Sequence, residues 1–234
     1  MQPKIKETMI INMIITVMLF VIGGYSMGQG ASVETFSMDN SPIYKIETEE
    51  KNVSLMINVY EGTEYVEEYL KLFDKEGIRA TFFLGGCWAV KNKETVMKIY
   101  NSGNEIGNHG YNHKLHTKLN REQSKQEIIR TNSLIREITG KAPTLFAPPS
   151  GDVNTNVSND AKTLKMTTVM WTIDTIDWRD KDVDKIYNRV KRNLQPGALI
   201  LMHPTKATLE ALPDIILLLK AQGYKIKTVS EQLK

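Results

Sequence analysis

Three of the four histidines in this chain fall within eight residues, in HGYNHKLH at positions 109–116. The fourth, His203, follows 94 residues after the first, in LILMHP. His109 and His113 are four residues apart. On a helical turn, side chains at i and i+4 point the same way, so both imidazoles could reach one divalent ion. Two histidines and a carboxylate form a common catalytic set that leaves a coordination position for water. The competing reading is a pair of surface histidines in a polar loop. His116, three residues further on, is expected on the solvent side. Cys87 is the single cysteine, which excludes an intrachain disulfide, and after FFLGG it reads as a small core residue.

Residues of this kind need a frame, and the frame repeats. VSLMINVY, ATFFLG, NEIGNH, LFAPP, TTVMWTI, ALILMH and YKIKTV are short apolar stretches. Each is followed by a helix-like segment, the first being EYVEEYLKLFDKEG and the longest REQSKQEIIRTNSLIREITG. Seven strand–helix units argue for an α/β fold with a parallel sheet or barrel. Gly77, Gly103, Gly140 and Gly223 fall where helices should end. The unusual residues then sit at the C-terminal ends of strands: Tyr60 and Glu61, His109, Ala147 to Gly151, Asp174 to Trp178, and His203. That rim is where parallel α/β folds build their sites.

The envelope narrows the function. At 234 residues, 41% hydrophobic and 24% charged, the chain suits one soluble domain or one domain with a tail. A net charge of +3 with scattered lysines and arginines argues against a nucleic-acid partner. Lys4 and Lys6 precede the nearly unbroken apolar run MIINMIITVMLFVIGGYSM. Residues 1–30 therefore read as an export signal or a membrane anchor, with both open. Residues 31–51 are polar and read as a tether, and 52–234 as the working domain. A monomer is expected, touching a membrane only through its N-terminal segment.

From residue 52 onward the chain resembles the polysaccharide deacetylases of the NodB-homology type, carbohydrate esterase family 4, and among them the sporulation-associated deacetylase-like proteins. IRATFFLGG matches the family's second strand, HGYNH its H-[ST]-x-x-H metal motif with Gly110 for Ser or Thr, and APPSG its R-x-P-Y-G. WTIDTIDW matches the Asp-Trp motif, and LILMH the closing L-x-H. The resemblance implies a distorted (β/α)7 barrel that removes acetyl groups from N-acetylated polysaccharide such as peptidoglycan or chitin. It implies a zinc or cobalt ion that polarises the acetyl carbonyl and a water. It also implies a carboxylate that takes the water's proton and a histidine that protonates the departing amine.

Carried onto this sequence, the implied metal ligands are Glu61, His109 and His113, and His203 is the acid. Asp177 is its partner, holding it protonated, with Asp174 a second candidate for that role. Tyr60, Pro149, Ser150 and Trp178 line the sugar site; Ser150 replaces the family tyrosine, but the oxyanion contact expected there comes from the backbone N–H, which survives the side-chain change. Two departures stand out. The family's TFDDG is NVYEG here, so Tyr60 replaces the base and Glu61 the second aspartate, and Ala147 replaces the arginine that orients the base. A phenol with a pKa of about 10 is a poor proton acceptor at neutral pH. Three readings follow: a metal-dependent N-deacetylase working weakly without its base, with Glu61 as a substitute base in one variant; a non-catalytic glycan-binding protein; and an O-acetyl esterase.

Overall fold

The structure, a computed structural model, describes residues 41–234 together with Met13, Thr16 and Met18. Apart from those three residues, the expected export or anchor segment, and the first part of the tether, lie outside the described residues. Among the described residues no helix is long and apolar enough to cross a membrane.

The frame is an eight-stranded sheet in the order β5-β4-β3-β2-β1-β7-β6, with β8 paired to the start of β1. Every strand pairing in it is parallel. The strands are β1 (Asn52–Val59), β2 (Thr81–Leu84), β3 (Glu105–Asn108), β4 (Leu145–Phe146), β5 (Thr167–Thr168), β6 (Ile173–Asp174), β7 (Ala198–Met202) and β8 (Lys225–Ile226). The sheet curls into the partly closed α/β barrel that the alternation of strand and helix predicts, with β1 in its interior between β2 and β7.

Interior position explains β1's sequence. Buried at every residue, it reads as a nearly continuous apolar run, as strands covered on both faces do. Val53, Leu55, Ile57 and Val59 face outward into a core shared with the helices. Met56 joins Phe83, Leu145, Ala147, Val169 and Leu199 in a second, inner cluster. The outer helices are α1 (Val66–Glu76), α2 (Gly86–Lys91), α3 (Lys93–Asn101), α4 (Arg121–Thr139), α5 (Thr155–Thr163), α6 (Asp177–Asp180), α7 (Val183–Asn193), α8 (Lys206–Ala221) and α9 (Val229–Gln232). The longest, α4, opens on a capping box between Asn120 and Gln123.

The structure differs from the sequence reading in three places. TTVMWTI is not one strand. Its start pairs with β4 and its end with β7, so the segment crosses from one edge of the sheet to the other. The tether does not extend to residue 51. Ile43 bridges Val169, Lys45 bridges Ala198, and Ile46 is buried in the inner cluster, so residues 43–46 fill the seam between those edges. Gly197 permits this: it stands at φ 74, and a Cβ there would run into the Ile46 carbonyl. Cys87 is not a core residue either. It lies half-buried on α2, and its thiol donates to Asn112 Oδ1 at 3.2 Å.

Candidate functional site

The C-terminal rim of the sheet carries two adjoining cavities. The smaller, about 290 Å³, is lined by residues that include Tyr60, His109, His113, Ser150, Trp171, Asp174, Trp178 and His203. The larger, about 730 Å³, shares Tyr60, Trp178 and His203 and adds Glu61, Glu64, Lys206 and Glu210. Each side chain reaches the rim because its strand ends there. Tyr60 follows β1, His109 follows β3, Ser150 lies beyond β4, and His203 follows β7.

His109 is the best-fixed member. It is 1% exposed, and its Nδ1 lies 2.7 Å from the Ala147 carbonyl oxygen. A carbonyl only accepts, so Nδ1 carries the proton and Nε2 holds a bare lone pair. That Nε2 is buried without a hydrogen-bond partner. Burial, with His113 as the next cause, pushes the His109 imidazole down to about 3, so it is neutral. Burial likewise lowers His113. The two imidazole centroids lie 5.1 Å apart. No helical turn joins them: Gly110 at φ 69 and His113 at φ 53 reverse the chain instead. Buried Glu127 of α4 holds this reversal, accepting from Tyr111 N at 3.0 Å, Asn112 N at 2.6 Å and Asn112 Nδ2 at 2.6 Å.

His116 corrects the sequence expectation. It is 1% exposed rather than on the solvent side, bonded through Nδ1 to Ser124 Oγ at 2.9 Å and packed on Phe146. Gly110 makes room, since its missing Cβ would sit 3.2 Å from His116 Nε2.

Tyr60 lies in the middle of the histidines. Its ring stacks on His113 at 3.8 Å and 22°, tilts over His109 at 5.8 Å, and meets His203 edge-on at 6.1 Å. Burial, then the charges of Glu61 and Asp177, raise the phenol above its ordinary range. Glu61 is exposed and lines the larger cavity, not the smaller one. The expected Glu61–His109–His113 ligand set is therefore not assembled. Among the described residues no three His, Cys, Asp or Glu side chains are grouped to hold a metal ion.

On the opposite wall, His203 Nδ1 lies 2.8 Å from Asp177 Oδ1. Asp177 is fully buried and also accepts from His203 N at 2.6 Å, Thr208 Oγ1 at 2.6 Å and Trp178 N at 2.8 Å. Burial opposes its ionisation, but the His203 and Thr208 hydrogen bonds outweigh that and hold the carboxyl below its usual range. Asp174, half-buried, is raised, chiefly by desolvation. Trp178 is 53% exposed at the junction of the cavities. Ala147 is fully buried in the inner apolar cluster, with no carboxylate to orient. Pro149 is buried against Gly110. Sequence reasoning missed Trp171, Glu127 and Thr208. The tryptophan's position in the crossing segment TTVMWTI was a usable signal, whereas Glu127 and Thr208 sit in ordinary helical patterns.

A curled parallel α/β barrel with imidazoles and an Asp–His pair at its C-terminal rim is the class of scaffold that builds enzyme sites there. The sequence relationships are specific. A profile of the polysaccharide deacetylase family matches residues 45–169, and the chain belongs to that family. It is 41% identical over 200 residues to the uncharacterized protein YlxY of Bacillus subtilis (strain 168), covering 86% of this chain and 63% of that protein. It is 34% identical over 171 residues to a peptidoglycan-N-acetylglucosamine deacetylase of Bacillus cereus, covering 71% of this chain and 62% of that protein. The chain thus spans just over three fifths of both relatives. Among solved structures, BA3943 of Bacillus anthracis, a CE4 family pseudoenzyme, superposes with a TM-score of 0.81 at 39% identity, covering 83% of this chain and 69% of that one. A mutant of BA3943 with restored enzymatic activity matches equally well, at 38% identity.

The family's deacetylases generally depend on a metal. The residues present do not fit one as they are arranged. His109 offers a lone pair, but that nitrogen is closed to solvent, and no carboxylate joins the two imidazoles.

Proposed function

We propose that this chain binds N-acetylated cell-wall polysaccharide of the peptidoglycan type in a deacetylase cleft and hydrolyses it far more slowly than family members that keep their base. The observation that carries this reading is the Tyr60 ring stacked at 3.8 Å on His113, at the position where the family places its proton-accepting carboxylate. A raised phenol is a donor at neutral pH and cannot accept the proton of an attacking water. Loss of a general base costs ~10²–10⁴-fold in rate.

The parts that would handle the sugar remain. Trp178 presents an aromatic face at the junction of the two cavities, suited to the apolar face of a pyranose. Ser150 lines the inner pocket at φ 56, a left-handed turn that sets the direction of its backbone N–H. His203 is oriented through Nδ1 by Asp177, which leaves Nε2 for the leaving amine. This retained pair is the specific observation favouring residual hydrolysis over a purely binding role. The apolar run behind Lys4 and Lys6 supports action outside the cytoplasmic membrane, where such polysaccharide lies.

The test is titration calorimetry of N-acetylglucosamine oligomers with wild type and Trp178→Ala, beside acetate release. Binding that weakens roughly 10-fold on losing the indole, the equivalent of ~1.4 kcal/mol, supports the reading. Absence of binding, or acetate release at the rate of a base-bearing member, refutes it.

A further inference from the structure

We propose that the Tyr60 ring is a plug that keeps the imidazole cluster free of metal, and that glycan binding by this chain is consequently metal-independent. The second half rests on the glycan-binding reading above; the first does not. Three observations carry it. Tyr60 lines both the inner and the outer cavity at the rim, so it stands where they adjoin. It lies among three imidazoles at 3.8, 5.8 and 6.1 Å between centroids, stacked flat on His113 at the wall of the inner cavity that they share. The one nitrogen otherwise prepared for a metal, His109 Nε2, is sealed from solvent and unpartnered. An ion bound there would need about 2 Å to that nitrogen and space for further ligands on its other side.

The ring's direction is set by the backbone beneath it. A Cβ on Gly85 would sit 3.1 Å from the Tyr60 Cβ, so the chain at residue 60 rests directly on the turn after β2. An orphaned imidazole nitrogen beside an aromatic ring stacked on its neighbouring imidazole is the arrangement expected when a donor set has lost its third ligand. The phenol hydroxyl is not needed for this effect; the ring is.

Zinc binding to the full chain, measured by competition with a chromophoric chelator, tests the plug. Wild type and Tyr60→Phe should bind equally weakly. Tyr60→Ala and Tyr60→Ser should bind about one equivalent at least ~10-fold more tightly, and the gain should vanish when His109→Ala is added. Circular dichroism selects the variants that keep the native fold. Equal zinc affinity in wild type and the small-residue variants, whether tight or undetectable, overturns the proposal. So does a gain in Tyr60→Phe equal to that in Tyr60→Ala. The glycan arm is separate: oligomer affinity of wild type should be the same in chelator and in zinc, and a zinc-dependent affinity removes the metal-independence. If no oligomer binds under either condition, the glycan-binding reading falls, and the zinc comparison still decides the plug.

Discussion

At Tyr60, on the cavity wall, and Ala147, buried in the inner cluster, the chain departs from the family's base and from the arginine that orients it, and the two effects should be coupled. Tyr60→Asp returns an acceptor and removes the ring, but without an orienting cation it should regain little activity. Ala147→Arg alone places a guanidinium in a fully buried apolar cluster beside Met56, Phe83 and Leu199. An unpartnered buried charge costs about 3–5 kcal/mol, so this variant should be destabilised in urea and no more active. Together the two should recover a large part of ~10²–10⁴-fold, about 3–5 kcal/mol of transition-state stabilisation, with Glu61→Asp as a third change if the ligand geometry needs it. Acetate release at fixed zinc by wild type, singles, double and triple should be strongly non-additive. A folded triple variant no faster than wild type would show that the cleft lacks more than its base. His116 makes a pH prediction. Burial lowers this imidazole, so below its ordinary value of about 6.5 the unfolded chain binds a proton that the folded chain resists. Its stabilising contribution is present above that pH and is lost as pH falls, with a slope of up to about 1.4 kcal/mol per unit. Urea midpoints from pH 7 to pH 5 should fall less steeply in His116→Leu, which keeps the contact with Phe146 and has nothing to protonate.

The element that matters most for the site is the reversal between β3 and α4. It has no regular secondary structure at residues 109–113, yet it carries two of the three imidazoles around Tyr60. Its rigidity comes from outside, through the three hydrogen bonds accepted by Glu127. Glu127→Ala leaves two backbone N–H groups without their acceptor and should cost about 2–4 kcal/mol by urea unfolding. Because the same residue fixes the stack of His113 on Tyr60, the variant should also shift the His113 ring resonances in NMR spectra. Unchanged resonances would place the source of order elsewhere in the loop. The helix α2, which begins at Gly86, buttresses the reversal from the other side: Gly86 N and Cys87 N donate to the Gly110 and Tyr111 carbonyls at 2.9 and 2.8 Å.

For the whole molecule, the seam between β5 and β7 shows that the folded domain begins before residue 52. Deleting residues 41–46 should therefore lower stability, since it removes Ile46 from the inner cluster and the bridges to Val169 and Ala198. Burying one such aliphatic side chain contributes roughly 1.5–3 kcal/mol, a loss that a thermal melt would register. The remaining N-terminal prediction concerns location. A fusion of residues 1–40 to a reporter active only outside the cytoplasm should give signal, and a soluble, inactive fusion would refute export. Mass spectrometry of the exported protein's N-terminus then separates a cleaved signal from a retained anchor.

The amino-acid sequence by itself determined the alternation of strand and helix, because periods of two and 3.6 are local properties of where apolar residues fall. It also placed the odd residues at strand ends and exposed the missing carboxylate and arginine, since both are questions of identity at a position. It misplaced His116 and Cys87, drew His109 and His113 onto a helical turn, read TTVMWTI as one strand, and ended the tether too late. Those depend on packing between residues far apart in the chain: Gly110 yielding space to His116, Glu127 reversing the loop, and Ile43 closing a seam against Val169. The position of Tyr60 belongs to the same group. Its identity told what chemistry was lost; only the tertiary structure placed its ring among three imidazoles and left Glu61 outside them, because side-chain direction at a strand end is decided by what the neighbouring strands and loops leave open.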